Sequence, residues 1–76
     1  MKDWTHWTNR GVFKIEVVPL LGMWHCELSF DGKKLGTYNY LQTAAGSIAK
    51  GDHDQVLGFK ASGLNVPPSV DAWNNL

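Results

Sequence analysis

Cysteine is nearly missing from these 76 residues: Cys26 stands alone. One thiol closes no internal disulfide, so a disulfide-stapled secreted scaffold is excluded and a reducing compartment is expected. Arginine is as scarce, with Arg10 the sole example. Charge is sparse and balanced: 18% of residues are charged, seven basic against seven acidic. That composition argues against a strongly basic nucleic-acid binder and against intrinsic disorder. Long apolar runs are missing too. The longest, Val17 to Trp24, is interrupted by Pro19 and Gly22 and falls far short of the roughly 20 residues a membrane-spanning helix needs. Met1 to Arg10 carries no apolar stretch of signal-peptide type. The cytoplasm is the expected address, and no membrane partner is expected. Repeats and low-complexity segments are absent as well.

What is present is a core. Hydrophobic residues make up 43% and aromatic residues 12%, with four tryptophans. At this length one domain, 1–76, is expected. Turn signals divide the first half into strands. Asn9-Arg10-Gly11 reads as a three-residue hairpin loop, Pro19-Leu20-Leu21-Gly22 as a four-residue turn, and Asp31-Gly32 as a two-residue type I′ turn. The strands between them are Trp4–Thr8, Val12–Val18, Met23–Phe30 and Lys33–Tyr38. The fold class predicted is α+β: an antiparallel meander of three to four strands packed on one main helix, with a short C-terminal helix.

Alternation assigns the faces. The four-residue turn sets Val17 opposite Trp24, Ile15 opposite Cys26 and Phe13 opposite Leu28. The same register faces Lys14 with Glu27 and Glu16 with His25 on the outer side. The Asp31-Gly32 turn sets Leu28 opposite Leu35. Two turns thus agree on one buried face. The three-residue loop pairs Thr8 with Val12. It puts Trp7 opposite Phe13 on the buried face, and His6 opposite Lys14 and Trp4 opposite Glu16 on the outer one.

A helix is predicted over Asn39–Lys50, with Asn39 as N-cap and Gln42 completing a capping box. Leu41, Ala44, Ala45, Ile48 and Ala49 recur at helical spacing and form its apolar face. Gly51 is the residue expected just past its end. Asp52 to Asn65 has no clear period and reads as mostly loop. Pro67-Pro68-Ser69 starts a short helix carrying Val70 and Trp73, whose indole is expected to seal the core.

The stretch from Trp24 to Ala49 has an aromatic-led strand, the Asp31-Gly32 turn, Leu35-Gly36-Thr37-Tyr38 and Ala44-Ala45. It resembles the plant ethylene-response-factor (Apetala-type) DNA-binding domain and the related modules at the N-terminus of phage integrases. The resemblance covers about a third of the chain. It implies a three-stranded antiparallel sheet on one helix, whose exposed face enters the DNA major groove with Arg and Trp side chains. On the expected outer face here stand Trp4, His6, Lys14, Glu16, His25, Glu27, Lys34 and Tyr38. Glu16 and Glu27 repel phosphate, and the sole arginine sits in a turn. The chain also resembles small bacterial and phage-borne proteins with a glycine-tyrosine segment, an alanine-rich helix and a terminal tryptophan.

No paired ligand spacing of zinc type occurs, and Asp52-His53-Asp54 amounts to a weak surface cation group at most. His25 and Cys26 are neighbours in a strand and point to opposite faces, so they form no nucleophile pair, and Cys26 is expected in the core. No phosphate-binding glycine loop and no serine elbow appear. No catalytic residue, cofactor or metal is therefore expected. A chain of this size, read as complete from Met1, is expected to act by contact. Partner-binding residues are expected at Trp4, His6, Lys14, Glu16, His25, Glu27 and Tyr38, an aromatic-flanked, mixed-charge stripe of the kind protein interfaces use. A stoichiometric inhibitor of phage or mobile-element type (anti-CRISPR or anti-defence) or an adaptor is the reading. A DNA-binding domain is the alternative: residues 1–50 carry six basic and four acidic groups, residues 51–76 one and three.

Overall fold

The computed structural model describes residues 3–75. Among these residues five strands form one antiparallel sheet: β1 (Asp3–Thr8), β2 (Gly11–Leu20), β3 (Met23–Phe30), β4 (Lys33–Tyr38) and the two-residue β5 (Asn74–Asn75). The spatial order is β4-β3-β2-β1-β5, so Asn74 and Asn75 return to pair with Thr5 and Trp4 of β1. One helix, α1 (Leu41–Ala49), packs on one face of the sheet. A one-turn helix, α2 (Asp54–Leu57), and two 3-10 turns (Ala61–Leu64 and Val70–Ala72) complete the layer. The fold is therefore α+β, as the alternation and helix patterns predicted.

The core lies between the layers. Phe13, Ile15 and Leu28 from the sheet and Ala44, Ala45 and Ile48 from the helix have no exposed surface. Cys26, Val66, Val70 and Trp73 join them. The alanines bring α1 close to the sheet, and Trp73 donates its indole N–H to the Pro67 carbonyl at 3.1 Å. The terminal tryptophan closes the core, as expected.

Three registers differ from the sequence expectation, for separate reasons. The first hairpin closes on a two-residue turn that pairs Thr8 with Gly11. The Thr8 hydroxyl accepts from the N–H groups of Arg10 and Gly11 at 3.1 Å each and donates to the Gly11 carbonyl at 2.8 Å. A side-chain turn of this kind replaces the three-residue loop. It moves the pairing by one residue, and a one-residue move sends every β1 side chain to the other face. Trp4 now opposes Ile15, His6 opposes Phe13 and Trp7 opposes Val12. Gly11 belongs there for a second reason. The Asp31 carboxylate, which accepts from the Val12 N–H at 2.8 Å, occupies the space a Cβ on Gly11 would take.

The second hairpin closes on Leu21-Gly22 alone, pairing Leu20 with Met23. This is a shift of two from the expected pairing. Faces are preserved while partners change: Ile15 opposes Leu28, Val17 opposes Cys26, and Glu16 opposes Glu27. Leu21 (φ 53°) and Gly22 (φ 79°) are both left-handed, the type I′ geometry. An aliphatic residue in that conformation costs roughly 1–2 kcal/mol. The third hairpin turns at Asp31-Gly32 as predicted, but a bulge follows. Ser29 pairs with Lys34, then Leu28 with Gly36, so Leu35 is the extra residue and Leu28 does not oppose it. Past the bulge Tyr38 opposes Cys26 and faces the helix.

Helix α1 starts later than predicted. Tyr40, not Asn39, is its N-cap, and no side chain caps it. Gln42 instead accepts from the Val70 N–H at 3.0 Å and ties the C-terminal segment to the helix. The far end is a Schellman closure. Gly51 (φ 86°) donates to the Ile48 carbonyl and Asp52 to the Ser47 carbonyl, both at 3.0 Å. The segment expected to be mostly loop carries α2 and the first 3-10 turn. Asp54 helps order it by accepting from the Ala61 N–H at 2.9 Å.

Candidate functional site

One face of the sheet is covered by α1 and the segments after it. The other face carries no layer among the described residues, and the side chains on it follow from the registers. Across the strands one row reads Asp3, Glu16, Glu27 and Thr37; the next reads Thr5, Lys14, Ser29 and Lys34. Trp7 and Val12 lie beyond the lysine row. Val18 and His25, then Leu20 and Met23, lie beyond the carboxylate row.

Of the seven residues expected to bind a partner, four stand on this open face: Lys14, Glu16, His25 and Glu27. The other three do not. Trp4, opposite Ile15, packs against the core cluster on the helix side of the sheet. His6 lies on the core side too, with its ring 5.8 Å from that of Trp73, and burial lowers its pKa below the usual imidazole value. Tyr38, turned inward by the bulge, shares a hydrogen bond of 2.7 Å with His53 Nε2. The one-residue slip of β1 and the bulge in β4 account for all three corrections.

The tryptophans trade places accordingly. Trp7, expected in the core, is 70% exposed, and Trp24, expected there too, is 67% exposed. Trp24 has the predicted face parity but lies beyond the reach of the helix. Sequence reasoning missed Trp7 as a surface residue because Asn9-Arg10-Gly11 admitted both loop lengths. Thr8, a turn-forming hydroxyl next to Asn9, was the signal for the shorter one.

The expected charge pairs are also rearranged. Lys14 does not meet Glu27, nor Glu16 His25. Glu16 and Glu27 oppose each other directly, an unfavourable pairing for like charges. Lysines relieve it: Lys14 Nζ lies 3.7 Å from Asp3 Oδ2 and 3.6 Å from Glu16 Oε1, and Lys34 Nζ lies 3.8 Å from Glu27 Oε2. At these lengths and exposures each pair adds little stability. Their effect is on the potential: among the described residues three carboxylates face two ammonium groups, and the open face is close to neutral with an acidic lean. Arg10 does not add to it. Its guanidinium lies over the Phe59 ring, 5.3 Å from the centroid, and Phe59 packs on Phe30 toward the helix side.

A polar cluster that the sequence did not suggest joins the helix to the sheet edge. His53 Nε2 lies 2.7 Å from Tyr38 Oη and 3.2 Å from Ser47 Oγ, and Ser47 donates to the Ala44 carbonyl at 2.7 Å. The hydroxyl proton of Ser47 is committed to that carbonyl and its side chain is 1% exposed. It offers no accessible nucleophile, and the three residues act as a tie between β4, α1 and the turn before α2. The Asp52-His53-Asp54 group diverges: His53 joins this tie, Asp54 binds the Ala61 N–H and Asp52 reaches Lys50 at 3.7 Å. Among the described residues no group of three or more His, Cys, Asp or Glu is placed to hold a metal ion. Cys26 is buried, and burial pushes its thiol pKa up.

Comparison with family models, curated proteins and solved structures found no match. The functional reading therefore rests on the open face.

Proposed function

We propose that this protein is a non-enzymatic binding module that acts stoichiometrically on a protein partner, as an adaptor or as an inhibitor of the phage or mobile-element type. The observation that carries this reading is Trp7, 70% exposed on an uncovered sheet face whose charges are locally paired. Exposed tryptophan on a near-neutral surface is the composition of an interface centre, where truncation often costs at least about 2 kcal/mol of binding. Val12 beside it adds apolar area, and Lys14, Glu16, Glu27 and Lys34 supply a polar rim. A duplex DNA partner is disfavoured by the same face. It leans acidic, its lysines are engaged by carboxylates and the sole arginine is stacked elsewhere, so little counterion release is available.

Two experiments test the reading. Affinity capture with the wild-type chain, then binding of the captured protein to Trp7→Ala, should show a loss of at least tenfold in affinity at an unchanged melting temperature. Titration against fluorescent duplex DNA at physiological salt should show weak, sequence-independent binding. Sequence-selective association tighter than about 10⁻⁷ M would replace the protein-partner reading with the DNA one.

A further inference from the structure

Among the described residues the β2–β3 hairpin outruns its neighbours in the sheet. The β1 pairing described ends at Asp3 with Glu16, and β4 ends at Tyr38 with Cys26. Beyond those points Val18 to Leu20 and Met23 to His25 form a ribbon that is two-stranded among the described residues. Its end is apolar on every side. Leu20 (48% exposed) and Met23 (65%) point to the open face, Trp24 (67%) points to the opposite one, and Leu21 (96%) stands at the apex. No charged residue occurs from Val17 to Trp24.

Leu21 makes the case for a contact role. It holds a left-handed backbone conformation (φ 53°) that asparagine or glycine adopts without strain, and it contributes nothing to the core. Both the turn and solvation favour a polar residue there. An outlier of this kind points to a role outside folding.

We infer that this tip inserts into the interfacial zone of a lipid bilayer. Three observations favour lipid over a protein pocket. First, the apolar surface wraps the tip, and a partner docking on one face leaves the other wet. Second, polarity is graded along the ribbon: aliphatic Leu21, Leu20 and Met23 lead, Trp24 follows, then His25, then Glu16 and Glu27. Aliphatic groups deepest, tryptophan at the headgroup level and charges outside is the order a membrane interface imposes. Third, the distance fits. Three residues from His25 to the apex rise about 10 Å at about 3.3 Å each, against an insertion depth of about 5–10 Å for interfacial elements. Backbone groups on the outward edges of the ribbon stay within reach of headgroups and water, which stops insertion at that depth. The acidic row gives no attraction to anionic lipid, so the insertion is apolar in origin. This inference departs from the expectation of no membrane partner, which rested on the lack of a spanning segment, and it stands apart from the protein-partner reading, which rests on Trp7 at the other end of the sheet.

The test is flotation of the full chain with phosphatidylcholine vesicles, and with vesicles of phosphatidylcholine mixed with phosphatidylglycerol. The wild type should float with both, with no loss in high salt. Leu21→Asn should reduce the bound fraction at least tenfold while its melting temperature holds or rises. Trp24 emission should shift to the blue on vesicles in a chain whose other tryptophans are replaced by phenylalanine, provided that chain keeps the cooperative melt. Absence of the wild type from both vesicle fractions would overturn the inference. So would binding that Leu21→Asn leaves intact, or binding that appears only with the anionic mixture and disappears in salt. A captured protein that loses affinity for Leu21→Asn, while vesicles are ignored, would assign the tip to a protein pocket instead.

Discussion

The two ends of the β2–β3 hairpin are built from the same alternating pattern and meet opposite fates. At one end Phe13 opposes Phe30, with ring centroids 4.6 Å apart and Phe13 fully buried. At the other, Pro19 opposes Trp24 on the same side of the sheet and Trp24 is two-thirds exposed. The difference is what lies above them. A nine-residue helix is about 13–14 Å long, whereas the ten residues of β2 extend about 33 Å. The helix and the C-terminal segment cover the Phe13 end, and the ribbon at the Trp24 end projects past them. Period-2 alternation reports which side a residue faces. Whether that side is covered depends on the length of the opposing layer.

The largest effect that separates the two ends is expected from Ile48→Asp. It places an unpaired charge where no surface is exposed, and loss of the cooperative melt is the expected result. Phe13→Ala should cost about 3–5 kcal/mol, while Trp24→Ala should change stability by no more than about 0.5 kcal/mol. Denaturant midpoints measure both. Comparable losses at the two positions would erase the distinction between a covered and a presented end.

An intermediate effect is expected at the turn that fixes the first register. Gly11→Ala drives a methyl group into the Asp31 carboxylate and forces alanine into a positive φ of 149°. A loss of roughly 1–3 kcal/mol is expected, read again from the denaturant midpoint. Gly63→Ala, with nothing within 4 Å of the added carbon, is the matched control.

A smaller, pH-dependent effect belongs to His6. Burial depresses its folded pKa below 6.5, so the unfolded chain binds the proton more readily. Stability from this group is present above pH 6.5 and falls as pH drops from 6.5 toward the depressed value. Thermal melts of wild type and His6→Gln across that window should converge at the acid end. A pH profile identical in the two chains would place the imidazole on the solvent side.

Much of this fold was legible in the sequence. Alternation identified Phe13, Ile15, Cys26 and Leu28 as one face, and the helical spacing of Ala44, Ala45 and Ile48 identified the layer that meets it. Asp31-Gly32 fixed its turn because aspartate and glycine both tolerate left-handed backbone. The site was less legible, because it depends on registers set by single interactions. The Thr8 hydroxyl shortened one turn and sent Trp7 outward and Trp4 and His6 inward. An extra residue at Leu35 turned Tyr38 toward His53, fifteen positions away. Leu21 entered a turn conformation its side chain disfavours, which no turn propensity predicts. A face-level reading survives a two-residue shift, as in the second hairpin, and fails at a one-residue shift, as in the first.

That one-residue shift decides which tryptophan the open face presents, and it is directly measurable. Resolved indole N–H signals of the four tryptophans, recorded with a solvent-borne paramagnetic agent, report the exposure of each. Strong broadening of Trp7 and Trp24 is expected, with Trp73 protected by its bond to the Pro67 carbonyl and Trp4 less affected than either exposed ring. Strong broadening of Trp4 with a protected Trp7 would contradict the account, because only the alternative register of β1 places the two rings that way.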